Sequence, residues 1–217
     1  MKTGARLLCL LLVAALLLGA APGGGNQQKT FQFDADFDSE SLGEAIERYL
    51  RGKQLDGRRI AIGWYELTSG DEWYLDGDAF MEGASTYKLP LAMLYADKIA
   101  AGELTRESMV RHYELRDALE AMLIDSNNAV GEVLRDQLTR DFVEFRRMLV
   151  PYSGLDESEL PEKYFRLNVF SPRFMIGTLH SLWDGGEKYA MLLDLMRQAR
   201  PDDYFSRYRG EIEVGNS

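Results

Sequence analysis

Ser85 and Lys88 stand three residues apart in "EGASTYKLPLAMLY", residues 82–95, at the head of an apolar run. On a helix, positions i and i+3 share a face, so the hydroxyl and the amine can meet. A serine hydroxyl is a weak nucleophile until a base takes its proton. A lysine desolvated by apolar neighbours loses part of its basicity and can serve as that base. The pair therefore suits nucleophilic attack by Ser85 Oγ, with Lys88 as general base. If Ser85 opens a helix, its own N–H points to where an oxyanion would form. The tetrapeptide alone does not require this chemistry. A capping serine beside a snorkelling lysine has the same spacing.

A second stretch, "LIDSNNAVGEVL", places Ser126 and Asn128 at a helix junction 41 residues after Ser85. A hydroxyl there can pass a proton to a leaving nitrogen, and a carboxamide can hold a substrate amide through its donor and acceptor. Taken by itself, the stretch also reads as a Ser/Asn-rich cap between two helices.

Together the two stretches resemble the penicillin-recognising serine hydrolases, in particular the class A β-lactamase family, whose motifs are Ser-x-x-Lys and Ser-Asp-Asn. Here they stand as "STYK", continued by "LPLAML", and as "SNN", in which Asn127 replaces the aspartate. The resemblance spans residues 40 to 217 and keeps the family's order of leader, helix, strand pair, nucleophile helix and helical block. It implies Ser85 as the acylated nucleophile, Lys88 as its general base, Ser126 as the proton shuttle and Asn128 as a substrate ligand. The implied fold is α+β, an antiparallel sheet flanked by helices plus an all-α subdomain. The implied substrates are small β-lactams or D-Ala-D-Ala-like cell-wall peptides, attacked without a cofactor or a metal.

Two departures shape the expectation. The family's Ω-loop reads Glu-x-x-Leu-Asn, and its glutamate positions the water that hydrolyses the acyl-enzyme. "YFRLN" keeps Leu167 and Asn168, the latter a second substrate ligand by resemblance, but Tyr164 stands at the glutamate position. A phenol with an ordinary pKa near 10 is a poor base at neutral pH, and Glu162 is the nearby acid. Slow deacylation is therefore expected, which brings a cell-wall peptidase or transpeptidase beside the β-lactamase reading. The family's third motif, Lys-Thr-Gly or a relative, has no match after Ser126. That keeps a non-catalytic secreted binding protein on the same scaffold as a further reading.

The elements that must position these residues show in the apolar spacing. Leu42, Ala45, Ile46, Tyr49 and Leu50 recur as on a helix, with Ser41 and Glu44 as a capping box. "RRIAIGWYEL", the turn "TSGD" and "EWYLD" predict a hairpin over 59–76 with apolar residues on both faces, so neighbours on both sides are expected. From Thr86 to about Ala199 the pattern is one of helices and loops, with Leu89, Ala92, Met93, Ala96 and Ile99 as a buried stripe. Ser171, Pro172 and "DGG" bound one helix, and "EKYAMLLDLMRQA" forms another. "EIEVGNS" reads as the approach to a further strand, so a C-terminally incomplete domain is expected.

Composition narrows the function classes. Lys2 and Arg6 precede an unbroken apolar run from Leu7 to Leu18, which is too short to span a bilayer. Residues 1–23 therefore read as a signal peptide, 24–38 as a flexible tether and 39–217 as the hydrolase domain, secreted and without a stable membrane anchor. The single cysteine, Cys9, lies in the leader, so the mature chain has no disulfide or thiol chemistry. Losing Lys2 and Arg6 with the leader takes the formal net charge from −10 to −12. Such a surface repels nucleic acid and anionic lipid. His112 and His180 lack a second ligand at metal spacing. A monomer is expected.

Overall fold

The computed structural model describes residues 42–55, 59–67 and 69–199. The expected leader and tether, Ser41 of the capping box and "EIEVGNS" lie outside these residues.

Helix α1, Leu42–Gly52, precedes a hairpin of β1, Ile62–Tyr65, and β2, Glu72–Leu75. The strands are antiparallel with Ile62 opposite Leu75 and Trp64 opposite Trp73. The expected cover on both faces is present. On the Gly63 face lies α7, Pro172–Asp184, so close that a methyl on Gly63 would sit 2.9 Å from Ile176 Cγ1. On the other face α1 presses Gly43 against the Trp73 indole, 2.5 Å from where a methyl would stand.

The helical block is built around α2, Lys88–Ala100, which a 3₁₀ turn over Ala84–Tyr87 leads into. Leu91, Ala92 and Met93 are consecutive and fully buried, so α2 is surrounded rather than laid on a surface. The expected stripe is thus too narrow: Leu91 and Tyr95 are buried as well, while Ile99 is only half-buried. Pro90 fits in the first turn, where a missing N–H leaves no helical bond unmade. Around α2 pack α3, Leu115–Leu123; α4, Asn128–Leu138; and α5, Phe142–Leu149. α8, Ala190–Gln198, also packs there. Tyr95 ties α2 to α4 by donating its hydroxyl to Leu134 O at 2.7 Å. Two residues on, Asp97 accepts from Tyr152 at 2.5 Å, Tyr189 at 2.7 Å and Lys188 at 2.9 Å. Burial pushes the Asp97 carboxyl up, but these bonds outweigh it and leave the group below the usual range.

The stretch expected to hold only helices and loops also contains short strands. β4, Met109–Val110, pairs with β5, Tyr113–Glu114. β3, Met81–Glu82, pairs with β6, Val169–Phe170, which follows α6, Glu162–Arg166. Two-residue strands carry no readable alternation, since the period itself is two. The β3–β6 pair matters most, because it ties a late loop to the segment that leads into Ser85.

Candidate active site

Ser85 sits in the 3₁₀ turn and Lys88 opens α2 one turn later, so the two side chains project from one face. Ser126 and Asn128 come from the α3–α4 junction. Asn127, the residue that departs from the family motif, is the N-cap of α4 and accepts from Val130 N at 3.2 Å. An asparagine caps a helix as well as an aspartate does, so the change leaves the local fold intact. Gly131 lets α4 approach closely: a methyl there would lie 2.9 Å from Tyr87 Oη and 3.5 Å from Lys88 Cε.

These elements bring the expected groups together. Lys88 Nζ lies 3.2 Å from Ser85 Oγ, 3.0 Å from Ser126 Oγ and 2.6 Å from Asn128 Oδ1, and it donates to Ser126 O as well. Ser126 Oγ donates to Ser85 Oγ at 2.8 Å, closing a triangle of two hydroxyls and one amine. Lys88 is only 2% exposed, whereas Ser85, Ser126 and Asn128 face solvent. Its partners are all neutral oxygens. Burial without a carboxylate pushes the Lys88 amine below the usual lysine range, toward the neutral form that can accept a proton.

The backbone on either side of this triangle is held in an unusual conformation. Ala84 has φ +44° and Ser126 has φ +52°, both left-handed without being glycine. Each such residue costs of order 1–3 kcal/mol, and such residues concentrate where geometry serves a site. Both carbonyls are held in compensation. Asn168 Nδ2 donates to Ala84 O at 2.7 Å, and Lys88 Nζ donates to Ser126 O. Asn168 O also accepts from Gly83 N at 2.8 Å, extending the β3–β6 pairing. Asn168 thus reaches the site through the turn that carries Ser85.

Tyr164 does not face the site. Its ring is fully buried against Phe170 and Phe174, and its hydroxyl donates to Arg146 O at 2.9 Å. Burial raises the phenol well above its ordinary value, so it supplies no base. Glu162 points to solvent in an exposed ion pair with Arg166 at 2.8 Å. Neither acid-position candidate of the loop therefore reaches Ser85.

Two residues that sequence reasoning passed over shape the site. Arg146 is fully buried beneath the loop, donating to Tyr164 O at 2.9 Å and Val169 O at 2.6 Å. Its guanidinium lies 4.0 Å from the Tyr164 ring centre and 4.1 Å from that of Phe170. Desolvation lowers its pKa to about 10. The available signal was its place on the buried face of α5, four residues after Phe142 and three before Leu149. The second is Glu132, in the wall of a cavity of about 340 Å³ that Ser85, Asn128, Asn168, Tyr87 and Phe145 also line. Its signal was its position four residues after Asn128, on the same face of α4.

A family model described as the beta-lactamase enzyme family matches residues 41–216. The chain belongs to that family. Among solved structures, the chain is similar to a β-lactamase from Burkholderia vietnamiensis, at 15% identity and TM-score 0.59, over 76% of this chain and 71% of that one. It is similar to one from Chitinophaga pinensis at 17% identity and TM-score 0.59, over 79% and 75%. The chromosome-encoded β-lactamase of Vibrio parahaemolyticus aligns at 16% identity and TM-score 0.56, over 75% and 72%. At these identities the likeness establishes the fold, which is α+β and β-lactamase-like. A comparison with curated proteins finds no match. In this beta-lactamase-family chain the loop that carries Asn168 is organised by a buried arginine and tyrosine, not by an acid directed at the nucleophile.

Proposed function

We propose that this protein is an exported serine hydrolase that transfers the acyl group of a β-lactam or a D-Ala-D-Ala-like amide to Ser85. The observation that carries the reading is the triangle of Ser85 Oγ, Lys88 Nζ and Ser126 Oγ, with sides of 3.2, 3.0 and 2.8 Å. The neutral Lys88 amine takes the Ser85 proton as Oγ attacks the carbonyl carbon. The Ser85 N–H, in the first turn of its helical segment, has no intrahelical acceptor and points to the developing oxyanion. Lys88 then returns the proton through Ser126 to the leaving nitrogen, which breaks the amide bond. Asn128 and Asn168 hold the substrate amide at the rim. The leader over residues 1–23 would carry the protein out of the cytoplasm to the cell envelope, the place of such substrates, as a monomer.

A second reading is a cell-wall peptidase or transpeptidase with a slow second step. It is favoured by the burial of Tyr164 and the outward Glu162, which leave the loop without a water-activating base. Labelling with a fluorescent penicillin tests the common first step. The protein should form a covalent adduct on Ser85, and Ser85→Ala should form none. Undiminished labelling of Ser85→Ala would end the nucleophile assignment. Turnover of a chromogenic cephalosporin then separates the two readings.

A further inference from the structure

We infer that Glu132, on α4, is the base that activates water for hydrolysis of acyl-Ser85, in place of a loop carboxylate. The inference rests on acyl transfer to Ser85. An attacking water must stand beside the ester carbon on a side the substrate leaves open. The cavity of about 340 Å³ that opens at Ser85 between α4, α5 and the loop offers that space. Its wall contains a single carboxylate among the described residues, Glu132.

Glu132 lines this space from an exposed position on α4 and is not engaged elsewhere. Among the described residues no hydrogen bond or ion pair holds its carboxylate. The neighbouring cation, Arg135, is committed to Asp136, with Nη2 at 2.7 Å and Nε at 3.0 Å from Oδ1. Glu132 acts electrostatically on Tyr87, the last residue of the turn that carries Ser85. The Tyr87 phenol is raised mainly by burial, with Arg135 pulling it down and Glu132 pushing it up. The other two nearby acid-position side chains are spent, Tyr164 in the core and Glu162 in an ion pair with Arg166.

The step balances without an outside reactant. Glu132 takes one proton from water as the water oxygen bonds to the ester carbon. The tetrahedral intermediate collapses with cleavage of the bond to Ser85 Oγ. The proton held by Glu132 returns to that oxygen, regenerating the hydroxyl and the carboxylate. The product leaves as an acid, and Lys88 ends the cycle in the protonation state in which it began.

The test follows the mass of the Ser85 adduct after a pulse of benzylpenicillin, using the full chain. In the unaltered protein the adduct should form and clear. In Glu132→Gln it should form and then persist, with clearance slower by about tenfold or more. Glu162→Gln should clear like the unaltered protein. Glu132→Ala should regain clearance on adding formate, a rescue that a merely structural loss would not show. Clearance at an unaltered rate in Glu132→Gln would overturn the inference, as would an adduct in the unaltered protein that never clears. Failure of any adduct to form in the unaltered protein would instead overturn acyl transfer itself, and this inference with it.

Discussion

Lys88 and Arg146 each bury a cationic side chain, 2% and 0% exposed, and among the described residues neither meets a carboxylate. Their surroundings differ in kind. Lys88 is met by two serine hydroxyls, a carboxamide oxygen and one carbonyl at the open mouth of a site. Arg146 is met by two carbonyls and two aromatic faces in a sealed core. Hydroxyls can accept and return a proton, whereas carbonyls and ring faces only hold a charge in place. Desolvation lowers both groups, yet Arg146 at about 10 remains charged at neutral pH. On the proposed function, the same burial suits Lys88 to act as a base, because its amine can release a proton, and makes Arg146 a strut, because its guanidinium cannot.

The largest expected effect comes from making the first cation like the second. Lys88→Arg keeps a basic side chain of similar reach but cannot be deprotonated. Acylation should fall by about 10²–10⁴-fold, roughly 3–5 kcal/mol of barrier. In the unaltered protein the acylation rate should rise with pH, with a midpoint below the ordinary lysine value of 10.5, as the ammonium loses its proton. That rise should vanish in the variant. Stopped-flow labelling across pH measures both. A variant that acylates at the normal rate would remove Lys88 from the role of base.

The next effect tests the strut. Arg146→Met keeps length and apolar volume but removes the donors to Tyr164 O and Val169 O. Replacing a buried charge by an apolar side chain can itself stabilise, which offsets part of the loss. Hydrogen bonds to a charged group contribute about 1.5–3 kcal/mol each, so a net destabilisation of about 2–3 kcal/mol is expected in urea titrations. The acylation rate should stay within about threefold, because Arg146 touches none of the reacting groups. A large loss of rate without loss of stability would mean that the two burial sites are not separable.

The sequence disclosed these two residues very unequally. Ser85, Lys88, Ser126 and Asn128 lie in short-range motifs that are legible through their resemblance to the family, and the geometry joins all four. The hairpin, the α3–α4 junction and the Ser171-capped helix were legible from local patterns. What sequence spacing could not show was direction. Tyr164 occupies a motif position in the chain, but its bulk and its contacts with Arg146, Phe170 and Phe174 turn it inward. Arg146 gains its role only when the loop folds over it. Glu132 becomes notable only once the cavity exists. The pairing of β3 with β6 joins segments that no local pattern connects.

The smallest effect concerns the phenol that locks the strut. Tyr164 and Arg146 are joined reciprocally: the hydroxyl donates to Arg146 O at 2.9 Å, and Arg146 Nε donates to Tyr164 O at 2.9 Å. Tyr164→Phe keeps the ring and removes one of the two bonds. About 1 kcal/mol should be lost at pH 7, with labelling at Ser85 unchanged. Alkaline pH sharpens the test. Burial raises the Tyr164 pKa above its ordinary 10.0. Between that value and the raised one, the unfolded chain releases the phenolic proton while the folded chain keeps it. The unfolded state then binds fewer protons, and the stability of the unaltered protein falls as pH rises. Phenylalanine has no proton to release, so the variant escapes this share of the decline. Its deficit should therefore shrink above pH 10. Lys88 gives the opposite sign: its lowered value means that the unfolded chain holds the extra proton up to 10.5, so its contribution rises with pH in both proteins. Because that contribution is common to both, it cancels in the difference. Urea titrations at neutral pH and above pH 10 read the change directly, and an equal deficit at the two values would mean that the phenol is not held neutral in the core.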